Sequence, residues 1–190
     1  PLARQKEMKM KRTVLSLALG AALLAPALAQ VDAAKSSVVA VSKQMGVPVE
    51  GKFRRFSAQV SFDPAKPADG RASIEIDIAS FDLGDADFNR ETAKKEWFDA
   101  AKFPKATFVT SAIKPAGAGK FEAAGKLTIK GKTLDVVAPV SFKTEGAQQV
   151  FEGVLPIKRL QFNIGEGEWK DTSTVADDVQ IRFRIVTAKK

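Results

Sequence analysis

Four separate stretches of this chain alternate apolar and polar residues with a period of two, and that period decides the fold class. Over residues 71–80, Ile74, Ile76 and Ile78 point one way while Ser73, Glu75 and Asp77 point the other. Phe56, Ala58, Val60 and Phe62 repeat the pattern, as do Leu134, Val136, Ala138, Val140 and Phe142, and again Val179, Ile181, Phe183 and Ile185. Each such strand has one wet face and one dry face. Adding residues 36–42, 105–114, 121–130 and 150–159 predicts about eight strands. Turn signals separate them: Asp63-Pro64 through Asp69-Gly70, Pro115 to Gly119, Lys130-Gly131-Lys132, and Glu145-Gly146. These connections suit antiparallel neighbours, whereas a parallel sheet needs a helix after nearly every strand. Closing the sheet into a barrel removes its adhesive edges, although alternation alone also admits a two-sheet sandwich.

One helical insert interrupts the pattern. Asn89 is positioned to cap a helix with Glu91 in its first turn and Lys94 and Lys95 later, in the sense the macrodipole favours. Ala93, Trp97 and Ala101 recur every four residues with Phe98 beside them, and Pro104 forces Phe103 toward extended geometry. The predicted helix therefore lies on the sheet, with Trp97, Phe98 and Phe103 candidates to cover one barrel mouth.

The segments WFDAAKFPKATF, GKLTIKGKT and IKRLQFNIGEGEW resemble the YceI family of bacterial periplasmic proteins, and the resemblance runs from about Val31 to Val186. It implies an all-β fold with one inserted short helix, an eight-stranded antiparallel lipocalin-like β-barrel that holds a long isoprenoid lipid. Many relatives carry a histidine in an HS-type motif near the first strand. This chain has no histidine; Lys35 and Ser36 stand at that point, so no role of that residue transfers.

The N-terminus carries a separate message. Lys9, Lys11 and Arg12 precede an apolar run over residues 14–25 and then Ala27-Leu28-Ala29, the pattern of a cleavable secretory leader with Gln30 as first mature residue. The run is shorter than the roughly 20 residues that cross a bilayer. Pro1 to Glu7 precede Met8 and read as an upstream extension. The expected organisation is an extension plus leader over 1–29 and one barrel domain over 30–190, exported to the periplasm. Losing Arg4, Lys6, Glu7, Lys9, Lys11 and Arg12 lowers the formal charge from +8 to about +4. The remaining Lys/Asp/Glu alternation lacks the basic stripe that nucleic acid requires, yet leaves room for transient contact with an anionic membrane surface. No cysteine is present, so stability rests on burial and strand pairing.

An eight-stranded barrel either fills its interior or encloses one small ligand. The candidate lining is the inward set: Phe56, Val60, Phe62, Ile74, Ile76, Ile78, Phe108, Leu127, Ile129, Val136, Val140, Phe142, Ile181, Phe183 and Ile185. Small inward residues such as Ala58, Ala123, Gly125 and Ala138 either leave room or accommodate a neighbouring phenylalanine. Asp85, Asp87, Asn89 and Glu96 imitate a calcium loop, but Arg90 replaces the glycine of its sharp turn. Gly165-Glu166-Gly167 lacks the strand–turn–helix setting of a dinucleotide fingerprint and reads as a tight loop. Two orientations are open to Arg159 just upstream: solvent, or a polar ligand head. With no histidine, cysteine or nucleophile elbow, acid–base or nucleophilic catalysis finds little support.

The expected function is a binding protein without a cofactor that sequesters an isoprenoid lipid or quinone; a homodimer is compatible with the chain. The alternatives are a filled-core secreted interaction or stress-response module and, third, an enzyme acting on a prenylated substrate.

Overall fold

A single antiparallel sheet accounts for most of the chain in the computed structural model, which describes residues 28–189. Its strands are β1 (Ala29–Gln30), β2 (Ser37–Gln44), β3 (Val47–Phe53), β4 (Phe56–Ser61), β5 (Arg71–Asp77), β6 (Phe81–Asp82), β7 (Lys105–Gly117), β8 (Lys120–Ile129), β9 (Lys132–Glu145), β10 (Gln148–Lys158) and β11 (Asp178–Ala188), with one helix, α1 (Ala86–Thr92). The spatial order is β1-β4-β5-β7-β8-β9-β10-β11-β2-β3-β6. The sheet curls into a barrel-like shape. Past β1, Val31 donates to the Ala58 carbonyl of β4 at 3.2 Å while Asp32 donates to the Val186 carbonyl of β11 at 2.7 Å, so this short segment joins two distant strands. The expected upstream extension and leader over 1–29 lie outside the described residues except for Leu28 and Ala29, and Ala29 pairs with Val60.

Nine strands of six residues or more form where eight were expected. The additional one is β3, whose inward positions are Val49, Gly51 and Phe53. Gly51 hides the alternation for a steric reason: a Cβ there would stand 2.1 Å from the Phe81 ring, which packs on the bare backbone. β7 also runs through the predicted turn at Pro115 to end at Gly117, whereas β5 stops at Asp77 and turns through a short 3-10 segment, Ile78–Ser80.

The helix differs from its prediction in both position and cap. Asp85, not Asn89, caps it, accepting from the amides of Asp87 and Phe88. Asn89 lies inside the helix, accepting from the Leu83 amide at 2.7 Å and donating to Asp82 at 3.0 Å. The helix ends at Thr92, and residues 93–103 proceed as turns with Asp99 in the left-handed region at φ 48°. Trp97 and Phe98 are drawn inward by Trp169, Phe53 and Phe81, and this burial overrides the helical spacing.

Candidate functional site

The inward faces of the strands enclose two adjoining chambers. The inner one, about 140 Å³, is walled by residues of β2, β4, β5 and β7 to β11, among them Val60, Ile74, Phe108, Val140, Phe183 and Ile185, and by Phe62 just past β4. Its polar wall residues are Thr107 and Thr110, and the Thr110 hydroxyl is already committed, accepting from the Ala72 amide at 2.9 Å. Four phenylalanines plug the end: Phe62 meets Phe121, Phe142 and Phe151 edge-on at centroid distances of 4.9, 5.1 and 5.6 Å. The outer chamber, about 390 Å³, reaches Phe53, Phe81, Phe98 and Trp97 and the turns beyond them. Val38, Ile76, Ala106, Leu127 and Ile181 face both chambers, so the two meet across these side chains.

Twelve of the fifteen sequence-predicted lining residues stand in these walls. Val60, Phe62, Ile74, Ile76, Phe108, Leu127, Val140, Ile181, Phe183 and Ile185 face the inner chamber, and Ile78 and Ile129 face the outer one. Phe56, Val136 and Phe142 do not line either. They pack against the core from the same sheet face, and Phe142 belongs to the plug itself, 5.2 Å from the Phe151 ring. Many wall residues, Phe62, Ile74, Phe108 and Phe183 among them, are only half-buried although they point inward. That partial burial is what an unfilled interior produces.

Trp97 and Phe98, two of the sequence candidates to cover one barrel mouth, line the outer chamber and Phe103 does not; sequence reasoning missed the rest of that chamber's far wall. A cap made of residues 93–103 and 159–176 covers it, and two cations tie the cap together. Arg159 is 2% exposed. Its Nε donates to the Ala176 carbonyl at 3.0 Å, Nη1 to Ile164 and Gly165 at 2.8 and 3.2 Å, and Nη2 to Trp169 and Val175 at 2.6 and 2.7 Å. All five N–H donors of the guanidinium are thus engaged by backbone, and no carboxylate lies in ion-pair contact among the described residues. Burial pushes its pKa down, opposed by the nearby Asp177 charge, though an arginine stays protonated. The guanidinium also lies over Trp97, 5.7 Å from the ring centroid. The buried ammonium of Lys130 donates to the carbonyls of Lys95 and Asn163 at 2.7 and 2.8 Å and to Glu166 at 3.0 Å, joining both halves of the cap and holding the Glu166 carboxyl below its usual range. Of the two orientations open to it, Arg159 turns away from solvent and stands in the wall of the outer chamber with its N–H donors committed to backbone carbonyls; the sequence signal that could have marked it is an arginine at an inward strand-end position followed by a glycine-rich turn.

The rim is different again. Lys43, Gln44, Phe88, Glu91 and Thr92 border the outer chamber, and Phe88 is 58% exposed. Of the carboxylates that imitate a calcium loop, Asp85 is spent on the helix cap and Asp87 pairs with Arg90. Lys35 and Ser36 serve the strands: Lys35 donates to Gln148 at 2.9 Å, and the Ser36 hydroxyl accepts from the Val186 amide at 2.9 Å.

Residues 30–187 match the YceI-like domain. The crystal structure of BcnA from Burkholderia cenocepacia is similar, with a TM-score of 0.82 and 62% sequence identity, covering 83% of this chain and 99% of that one. A UPF0312 protein of Pseudomonas fluorescens is 32% identical over 203 residues, 95% of this chain and 100% of the relative. A polyisoprenoid binding domain from Saccharophagus degradans, implicated in plant cell wall breakdown, shares the fold with a TM-score of 0.66 at 18% identity, covering 86% of this chain and 99% of that one.

Proposed function

This chain belongs to the YceI-like domain family, and we propose that it is a periplasmic carrier that sequesters a long isoprenoid lipid, a prenyl alcohol, prenyl phosphate or quinone tail, inside its curled sheet. The observation that carries this reading is the pair of adjoining chambers with aliphatic and phenylalanine walls. The polyisoprenoid-binding domain of the same fold supports the ligand class, and the leader-like N-terminus supports export. Each isoprene unit brings five carbons, so full burial is worth up to a few kcal/mol per unit, from about 0.8 kcal/mol per CH2. Several units leave a surplus after the cost of ordering the chain. The carrier shields its cargo from water and releases it at a membrane or partner, which needs no cofactor.

Expression with the native leader, fractionation and native mass spectrometry test both halves of the proposal. The expected product is a periplasmic protein beginning at Gln30 with a stoichiometric lipid, identified by extraction as an isoprenoid. A lipid-free protein that also refuses added prenyl lipids would shift the reading to an interaction module.

A further inference from the structure

β9 and β10 begin as partners and then stop. Their ladder runs from Gln148↔Glu145 to Glu152↔Ser141, and beyond it residues 132–140 of β9 and 153–158 of β10 are not paired with each other. Both stretches stay paired on their other sides, β9 with β8 and β10 with β11. The sequence explains the stop. Continuing the register by two residues sets Pro139 opposite Val154, and two further on Val137 opposite Pro156. Alternate residues of an antiparallel strand turn their N–H groups to opposite neighbours. The Phe142 amide donates toward β8, to the Gly119 carbonyl at 2.8 Å, so Ser141, Pro139 and Val137 turn toward β10. By the same alternation Glu152, Val154 and Pro156 turn toward β9. Each of the next two rungs would therefore contain one proline, which has no N–H to donate. The two prolines leave a slit in the wall.

Its banks are apolar on both faces. Outward stand Val137 and Val154, 53% and 40% exposed, with Pro139 and Pro156 exposed beside them. One strand further out the surface turns polar, with Glu122 opposite Pro139, Arg182 opposite Val154 and Gln180 opposite Pro156. Inward, Ala138, Val140 and Leu155 line the inner chamber and Ile157 the outer one, so the slit runs alongside both. Its ends are fastened. The Glu152↔Ser141 rung closes one; at the other Lys130, in the turn before β9, reaches the Asn163 carbonyl and the Glu166 carboxylate past the end of β10. At roughly 3.4 Å per residue, residues 153–158 make the slit about 20 Å long.

We propose that this slit is a side portal through which an isoprenoid chain passes between the chambers and the outside. The proposal rests on the carrier reading above and adds a route to it. Parting two hydrogen-bonded strands strips N–H and C=O groups of their partners, at a cost for every rung. Between these banks no ladder rung has to break, and a crossing chain meets aliphatic side chains from the outer face to the inner one. The length admits several isoprene units broadside, which spares a long flexible chain from threading end-first through the mouth. An extended peptide is a poorer occupant, because a strand added to either bank meets the same missing donor.

Hydrogen exchange of the wild-type protein gives the first test. The amides of Val137 and Val154, which face the slit, should exchange about tenfold or more faster than those of Ala138 and Leu155, which face β8 and β11. Equal protection would mean that the banks are paired and would overturn the portal. The second test clamps the slit. The chain has no cysteine, so V137C with P156C places a unique thiol pair across it, joined by the shortest bis-maleimide that links them. The same variant with each thiol capped separately controls for folding and for the bulk of the reagent. A second pair, Q44C with F88C, is joined in the same way across the mouth of the outer chamber. With geranylgeraniol in vesicles as the probe, the slit clamp should slow uptake about tenfold or more against its capped control, and the mouth clamp should slow it less. Uptake unchanged by the slit clamp, or slowed more by the mouth clamp, would overturn the portal while the carrier reading stands. If wild-type protein takes up no geranylgeraniol at all, the carrier reading fails and the portal with it.

Discussion

The plugged end of the interior and its capped end are held by opposite physics. At the inner chamber every wall residue but Phe62 comes from a strand, and cohesion is the sum of many small apolar contacts, with Thr110 bonded back to its own sheet. Over the outer chamber the wall is made of turns, and cohesion is concentrated in two buried cations that clasp carbonyl oxygens. A surface built from many equivalent contacts tolerates exchange of any one of them. A surface built on one guanidinium does not, because five backbone acceptors depend on a single side chain.

The sharpest way to break that contrast is Arg159→Met. It keeps the stem and leaves five carbonyls without their donor, and we expect a loss of about 3 kcal/mol or more in chemical denaturation of the lipid-free protein. Arg159→Lys keeps the charge but offers three donors in the wrong geometry, so it should recover only a minor part. Native-like stability in either variant would mean that the cap is held by its tryptophans and not by the cation.

A strand-wall position gives the next largest effect. Gly153 sits where a Cβ would meet the Pro139 carbonyl oxygen at 2.1 Å, a backbone atom that cannot swing aside. Gly153→Ala should cost about 2 kcal/mol by forcing β9 and β10 apart, read from the same denaturation curves. Ala106→Leu then separates stability from binding. Ala106 faces both chambers, and a larger side chain fills the space between them. Isoprenoid affinity should fall about tenfold or more while the melting temperature of the lipid-free protein holds or rises, since filling a void adds contacts. Unchanged affinity would show that cargo does not pass from one chamber to the other.

These variants also mark what could be read from the chain. Period-two alternation is legible wherever inward residues are large and apolar, so β4, β5, β9 and β11 and most of the inner wall follow from it. β3 escaped because Gly51 is inward without looking apolar, and its reason for being glycine is the ring of Phe81, thirty residues away in the chain. Trp97 and Phe98 were legible as candidates to cover a mouth, but the build of the cap escaped for a related cause. Ala93, Trp97 and Ala101 have helical spacing, but the burial of Trp97 against Arg159 and Trp169 is a long-range contact that no local pattern encodes. A buried arginine satisfied by carbonyls leaves no partner carboxylate in the sequence to announce it.

The smallest expected effect lies at the rim, where α1 joins the sheet. Asp82 accepts from the Asn89 side chain at 3.0 Å, from the Gly84 amide at 2.8 Å and from Arg54 at 2.8 and 2.9 Å. These bonds, that of Asn89 foremost, hold its pKa down to about 2. A carboxyl whose pKa is depressed by folding contributes stability that is complete above its unfolded pKa and is lost as the pH falls through the folded value. The wild-type protein should therefore lose a small increment of stability between about pH 4 and pH 2 that Asp82→Asn lacks, while the two respond alike between pH 5 and 7. Parallel melting curves across the acid range would show that α1 is anchored by its Asp85 cap alone. A difference confined to that range would make Asp82 and Asn89 the clasp that keeps Phe88 at the mouth of the outer chamber.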